Sequence, residues 1–168
     1  VTPSIRSDMD AVDEDAFSLM GLAIWRYQST DNSAWTMGFG ANRLFGEYQP
    51  IPLLSYQYKT ANGVQLDLGF PITKAEYRLQ QNVTTFASFA PVGGNWRTET
   101  NSNGKLNVAY SSWVASTGVR YQFKPKIWAT LEIAQSLSRN LNLDDSDNST
   151  EVDVDDSPAI LFSVGFHP

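Results

Sequence analysis

Apolar and polar residues alternate with a period of two along much of the chain. In residues 126 to 141, KIWATLEIAQSLSRNL, Leu131 and Ile133 point one way, while Thr130 and Glu132 point the other. This alternation is typical of a β-strand with one apolar face. On a helical wheel the apolar residues of the segment spread around more than half of the circumference, and no capping residue precedes it. A strand is therefore favoured over a helix.

The same alternation predicts a series of further strands, and no segment predicts a helix. They lie in FSLMGLAIWRYQ from Phe17, AWTMGFGAN, PIPLLSYQYKT, VQLDLGF, KAEYRLQ, NVTTFASFAPV, KLNVAYSSWVASTGVRYQF and AILFSVGF. Asn62 and Gly63 predict a hairpin with a type I′ turn, because both residue types accept a positive φ. A phase slip near Ser112 is expected within one long strand.

Pro71 decides the predicted number of strands. The phase of the alternation flips after it, so it marks either a tight turn or a bulge, because proline removes a ladder donor. A turn gives an odd number of strands and a bulge an even one. Bacterial single-chain barrels favour even numbers, so we expect about eight strands in a range of about eight to ten. Residues 1–16, an acidic arm, and residues 91–104 and 139–157 are predicted to be loops.

The apolar faces of these strands either meet one another, as in a soluble fold, or meet lipid. Short turns at QQN and KPK alternate with long predicted loops, and Trp and Tyr residues flank several turns, as in outer-membrane barrels. Charged residues in the middle of strands suit the polar lumen of a closed barrel. The predicted lumen-lining residues are Arg26, Asp67, Lys74, Glu76, Arg78, Arg120 and Glu132. We therefore predict an all-β, antiparallel, up-and-down transmembrane β-barrel, with residues 1–168 as a single domain that can be part of a longer barrel chain.

Composition narrows the function classes. Charged residues make up only 18% of the 168 residues and aromatic residues 12%, and the net charge of −6 argues against a nucleic-acid partner. The absence of cysteine excludes a disulfide framework, a thiolate nucleophile and a cysteine-ligated metal. No apolar run approaches the length of a spanning helix.

Two segments resemble a known group of proteins. They are VQLDLGFPITKAEYRLQQNVTTFASFAPVGGNWR and VASTGVRYQFKPKIWATLEIAQSLSRNL, with a Gly-x-Pro step, a Tyr-Arg strand, a Gly-Gly pair and an aromatic-Arg hairpin. This pattern, within residues 51 to 141, resembles an uncharacterised family of Gram-negative outer-membrane β-barrel proteins. The resemblance implies a location in the bacterial outer membrane, with membrane lipid and lipopolysaccharide as partners. The ending GFHP departs from the aromatic terminus that many barrel proteins carry.

The sequence offers few residues for catalysis or metal binding. A lipid-modifying enzyme would need a histidine beside a nucleophile, but His167 is the only histidine and Ser163 lies four residues away, out of reach along a strand. The acidic stretch has oxygen ligands at a spacing that weakly resembles a calcium loop. Its candidate ligands for a divalent ion are Asp145, Asp147, Asp153 and Asp156. We expect no enzyme and no cofactor, and a structural or small-solute passage role. The alternatives are a soluble secreted β-barrel that binds an apolar ligand and, less favoured, a lipid-modifying enzyme.

Overall fold

All regular structure in the described part of the chain is β-strand. This computed structural model describes residues 2–5, 17–45, 47–99, 105–144 and 149–166. The strands are β1 Thr2–Ile5, β2 Phe17–Thr30, β3 Ser33–Phe45, β4 Glu47–Lys59, β5 Val64–Phe70, β6 Thr73–Gln80, β7 Val83–Glu99, β8 Lys105–Lys124, β9 Ile127–Asp144, β10 Ser149–Val154 and β11 Ser157–Phe166. None of these residues forms a helix able to cross a membrane. The all-β prediction is confirmed.

The strands form one antiparallel, up-and-down sheet. Each strand from β1 to β9 pairs with its neighbours in sequence. β10 and β11 both pair with β9, along 139–144 and 127–136 respectively, so eleven strands occupy ten positions in the sheet. Among the described residues no ladder joins β11 to β1 or β2, so hydrogen bonds do not close the sheet.

Pro71 lies in a connection between two paired strands. β5 and β6 run antiparallel, with Val64 opposite Tyr77. The connection is held by side-chain bonds: the Gly69 N–H donates to Thr73 Oγ1 at 3.2 Å, and the Thr73 hydroxyl donates to the Gly69 carbonyl at 2.8 Å. The bulge interpretation of Pro71 is therefore wrong, and the preference for eight strands, which rested on it, is not supported.

The hairpin at Asn62 and Gly63 is confirmed, but its turn is not type I′. The Thr60 N–H donates to the Val64 carbonyl at 2.9 Å, and the Gly63 N–H donates to the Thr60 carbonyl at 3.3 Å. Gly63 has a φ of 83°, whereas Asn62 keeps a negative φ. The loop is therefore a turn with one residue in the left-handed region, where glycine avoids the steric cost of a Cβ.

The phase slip near Ser112 is confirmed as a bulge in one long strand, β8. The register of β8 against β9 shifts between Ser111 and Trp113. The Ser112 hydroxyl lies 3.2 Å from the Trp113 carbonyl and 3.3 Å from the Leu137 carbonyl, so it can donate to either of these backbone acceptors. Bulges of this kind re-aim the side chains on either side of them.

Parts of the three predicted loops are strands. β1 lies within residues 1–16, β7 extends into residues 91–104, β9 extends into residues 139–157, and β10 lies within that range. β7 and β8 stay paired without interruption up to Glu99 opposite Lys105. Polar residues can form these strands because the hydrogen bonds between strands join backbone groups and need no apolar side chains. The loop predictions are wrong for these residues.

The sheet has two chemically different faces, which the cross-strand register defines because directly paired residues share a face. The apolar face carries large side chains that are between 38% and 78% exposed: Trp25, Tyr27, Trp35, Met37, Phe39, Leu54, Leu68, Phe70, Tyr77, Phe89, Val119, Tyr121, Leu131, Ile133, Ile160, Phe162, Val164 and Phe166. On the opposite, polar face Phe86 is 7% and Thr130 is 5% exposed. A single sheet buries one face only by curving around it, and β3 indeed lies close to β7 and β8. The polar face is therefore concave and the apolar face convex.

Candidate functional site

The seven residues predicted to line a lumen all lie on the concave polar face. Cross-strand pairing gives the rows Arg26–Thr36–Ser55, Gln57–Asp67–Lys74–Ser88–Ser116–Ala134, Glu76–Phe86–Gly118–Glu132 and Arg78–Thr84–Arg120–Thr130. Alternation along each strand then places all four rows on one face. The charged residues of five different strands are thereby brought to one surface.

Glu76 joins two cations from different strands. Its Oε1 lies 2.8 Å from Lys74 Nζ and 3.8 Å from Arg120 Nη1. Lys74 and Glu76 lie two residues apart on β6, and Arg120 lies on β8, with β7 between them. The side chains of Lys74, Glu76 and Arg120 are 34%, 22% and 40% exposed, so the group is partly screened from water. The Glu76 carboxylate therefore links β6 to β8 across β7.

Two aromatic rings complete this group, which we name the Glu76 cluster: Lys74, Glu76, Phe86, Arg120 and Trp128. Lys74 Nζ lies 5.5 Å and Arg120 Cζ 5.9 Å from the centroid of the Phe86 ring, and Arg120 Cζ lies 5.4 Å from the Trp128 ring. Both rings are within cation–π distance of the cations. The faces of the Phe86 and Trp128 rings attract the two cations and offset part of the hydration that the cations lose on the concave side.

Gly118 makes room for the Phe86 ring. A Cβ built on Gly118 would lie 2.5 Å from the Leu131 carbonyl oxygen of the neighbouring strand and 2.8 Å from Phe86 Cζ. Gly118 pairs with Phe86 on β7 and with Glu132 on β9, at the centre of the polar face. A side chain at this position would displace the ring from beneath the two cations.

Several polar atoms of the concave face have no hydrogen-bond partner among the described residues. Asp67 Oδ2 accepts a hydrogen bond from Gln57 Nε2 at 3.0 Å, but Asp67 Oδ1, Arg120 Nε and Thr130 Oγ1 are buried without one. Arg120 and Thr130 are direct cross-strand partners. Buried polar groups in native proteins are satisfied, so water or a polar solute is expected beside these atoms.

Arg26 lies apart from the Glu76 cluster, at the end of the sheet that carries the turns 31–32, 60–63, 81–82 and 125–126. It lines a cavity of about 60 Å³ together with Gln28, Gln57 and Lys59. Asp31 and Asn32 also line the cavity, so its lining is polar and combines two cations with one carboxylate and three amides. We call this end of the sheet the short-turn end.

Aromatic side chains collect on the apolar face near the short-turn end. Trp35 and Tyr56 lie 4.9 Å apart between ring centroids, and Tyr56 and Tyr58 lie 6.5 Å apart. Tyr121 and Phe123 form a second pair at 4.8 Å beside the turn at 125–126. Aromatic residues thus flank the turns at this end of the sheet, and their role at a membrane interface stays a prediction.

The other candidate residues are not assembled into a site by the described part of the chain. His167, Asp145 and Asp147 lie outside the described residues. Asp153 lies in β10, and Asp156 Oδ1 accepts a hydrogen bond from the Ser138 N–H at 3.1 Å. Within the described ranges no group of three or more His, Cys, Asp or Glu side chains could hold a metal ion. The weak prediction of a divalent-ion site stays a prediction.

Phe86 and Trp128 belong to the polar face, although the sequence prediction did not assign them to it. A signal for Phe86 was available, because it shares its phase with Thr84 and Ser88. Trp128 likewise shares the phase of Thr130 and Glu132. A large aromatic residue on a polar face was overlooked because alternation was judged by hydrophobicity alone.

Comparisons with known proteins add a family but no function. No curated protein and no solved structure matches the chain. One family model matches residues 1–167, which is nearly the whole chain and includes both faces of the sheet. The chain therefore belongs to the family described as "Domain of unknown function (DUF6268)".

Proposed function

We propose that the protein is an outer-membrane β-barrel of Gram-negative bacteria, with a structural role or a role in the passage of small solutes, and without enzymatic activity. The observation that carries the proposal is the distribution of side chains over the two faces of the sheet. The convex face is apolar and exposed, whereas the concave face holds the charges. A soluble protein has the opposite arrangement.

The large apolar area of the convex face would be unfavourable in water, which supports contact of this face with lipid. Soluble proteins rarely expose a contiguous apolar patch larger than a few hundred Å². Here the exposed apolar side chains run from Trp25 on β2 to Phe162 on β11. Moving one large apolar side chain out of water stabilises a protein by about 1.5–3 kcal/mol. Contact of the whole convex face with lipid instead of water would therefore stabilise the folded protein strongly.

The concave face supports a wet but narrow interior. Arg120, Phe86 and Trp128 project into it, and small residues such as Gly118 lie between them. Barrels of about eight strands are filled by their own side chains, and a sheet of ten positions encloses only slightly more space. Passage of solutes would therefore be limited to small polar molecules or ions, and a purely structural role needs no passage.

Strand lengths support one orientation across the membrane. β7, β8 and β9 contain 17, 20 and 18 residues, whereas about 9–11 residues cross a bilayer. With the short-turn end in the periplasm, the surplus residues extend outward, as the long outer parts of such barrels do. The outer end would then meet lipopolysaccharide, the expected partner there together with membrane lipid.

The two alternative functions have less support. A soluble barrel that binds an apolar ligand needs an apolar concave face, but the Glu76 cluster occupies that face. A lipid-modifying enzyme of the outer membrane would share the apolar convex face, but it needs a base beside a nucleophile, and Ser163 lies four residues from His167, the only histidine. The apolar convex face therefore disfavours only the soluble alternative.

The proposal is tested by fractionation and by gel mobility. We expect the protein in the outer-membrane fraction, extracted only by detergent, with unheated samples migrating differently from boiled ones. A monodisperse protein in buffer without detergent would contradict the proposal. The soluble alternative predicts that second result.

A further inference from the structure

The polar face carries more cations than carboxylates, although the whole chain has a net charge of −6. Lys59 also belongs to this face, because it pairs with Gln65 on β5 and Gln65 pairs with Glu76 on β6. With the rows described above, the face carries five cations, Arg26, Lys59, Lys74, Arg78 and Arg120, and three carboxylates, Asp67, Glu76 and Glu132. The excess of positive charge is therefore a property of this face and not of the protein as a whole.

The unpaired part of this positive charge lies at the short-turn end. In the described part of the chain, the ion pairs of the polar face join Glu76 to Lys74 and to Arg120. Neither Arg26 nor Lys59 has an ion-pair partner among the described residues. Their charges are therefore available to a ligand.

Arg26 and Lys59 line the same cavity, which has a volume of about 60 Å³. Arg26 lies on β2 and Lys59 on β4, with β3 between them. On β3, Ala34 pairs directly with Gln28 and with Gln57, so a small side chain stands between longer ones and leaves a hollow. One water needs about 10–15 Å³ of such volume, so the cavity has room for one carboxylate or phosphate group.

The charges of the lining favour an anion in this cavity. Two of its amides are bonded within the protein: Gln28 Nε2 donates to the Thr30 carbonyl at 2.7 Å, and Gln57 Nε2 donates to Asp67 Oδ2 at 3.0 Å. Asp31, in the exposed turn 31–32, supplies the carboxylate of the lining. Two cations against one carboxylate leave a net positive charge, which attracts anions into a cleft.

We propose that this cavity binds a small dissolved anion, of the size of inorganic phosphate or of a carboxylate group, between Arg26 and Lys59. The inference rests on the proposed function and deepens it, because it names the class of solute that the interior would admit. An arginine binds such a group through two parallel N–H donors, and a lysine adds a point charge. A phospholipid headgroup offers the same phosphate, but its acyl chains would have to enter the polar face.

Phosphate binding to charge variants tests the inference. The intact protein is refolded in non-ionic detergent, and inorganic phosphate is titrated at constant ionic strength, with the relaxation of its phosphorus NMR signal as the measure of binding. We expect Arg26→Gln and Lys59→Gln each to weaken phosphate binding about two- to fivefold, which is the effect of one partly exposed charge. Asp31→Asn should strengthen phosphate binding by a similar factor, because it removes the repelling carboxylate.

Lys124→Gln is the matched control, because Lys124 lies at the same end of the sheet but does not line the cavity. We expect this variant to bind phosphate as the wild type does, and gel mobility checks that each variant is folded. Equal affinities in all variants, or displacement of phosphate by phosphatidylglycerol but not by phosphatidylcholine, would overturn the inference.

The result also separates this inference from the proposed function. If phosphate does not bind while the protein still fractionates with the outer membrane, the anion site is refuted and the proposed function stands. If phosphate binds in the expected order to a protein that is monodisperse without detergent, the anion site is supported and the membrane role is refuted.

Discussion

Leu131→Arg separates a lipid-facing sheet from a water-facing one. Leu131 is 56% exposed on the apolar face, between Val119 on β8 and Phe162 on β11. It lies four residues into the strand from Ile127, which is about 13 Å along the strand at about 3.3 Å per residue. A strand tilt of about 40° converts this length into a depth of about 10 Å, near the middle of an apolar band about 25 Å tall.

At this depth an arginine on the lipid face costs about 2–4 kcal/mol, which lowers the folding equilibrium constant by about 30-fold or more. If the apolar face met water instead, replacement of an exposed leucine would change stability by less than about 0.5 kcal/mol. The predicted magnitudes differ enough for one titration to distinguish them. The assay is reversible urea unfolding in lipid vesicles, followed by tryptophan fluorescence.

Leu161→Arg is the matched control for this experiment. Leu161 is 47% exposed, lies on the polar face of β11 and pairs with Glu132, so the new cation finds a carboxylate opposite it. We expect this variant to lose less than about 1 kcal/mol. The reasoning is refuted if Leu131→Arg stays within about 0.5 kcal/mol of the wild type or costs no more than Leu161→Arg.

Three further predictions concern the polar face and the acidic strand. Gly118→Val should lower the urea midpoint by the equivalent of about 1–3 kcal/mol, because its Cβ collides with the Leu131 carbonyl oxygen and with the Phe86 ring. Gly21→Ala, with nothing within 4 Å of its Cβ, should change the midpoint little, and equal shifts in the two variants would contradict this reasoning. Glu76→Gln should lower the free energy of unfolding by about 1 kcal/mol or less, since its ion pairs are partly exposed. This loss of stability should shrink as the salt concentration rises, and a loss independent of salt would contradict the electrostatic explanation. Titration calorimetry with calcium should detect at most millimolar binding, and micromolar binding that Asp153→Asn or Asp156→Asn abolishes would show a specific site.

The faces of the sheet could be predicted from the sequence because the side-chain period of a strand is two. Wherever one face is apolar, as from Ala129 to Ile133, the alternation identified both the strand and the side of each residue. Arg120 and Glu132 were assigned to the same face without knowledge of their strands' pairing. The spatial meeting of Glu76 with Arg120, however, depends on the register of β6, β7 and β8, which alternation does not contain.

The errors occurred where alternation is absent or ambiguous. β10, STEVDV, and the end of β7, GGNWRTE, are polar or glycine-rich on both faces, so they resembled loops although their backbones pair. Pro71 and the phase flip after it are compatible with a turn and with a bulge. The antiparallel pairing of Val64 with Tyr77 shows that it is a turn between two strands. The turn at Thr60 involves two more residues than the Asn-Gly signal suggested.

The most direct test of the account is to determine which solvent meets each face. A fluorophore is attached to Leu131→Cys on the apolar face and, in a second variant, to Leu161→Cys on the polar face, both in reconstituted bilayers. We expect quenchers confined to the lipid chains to quench the label at position 131 and not the label at position 161, which water-soluble quenchers should reach. Equal quenching at both positions, or no quenching by lipid at position 131, would contradict the proposal that the apolar face lies in a membrane.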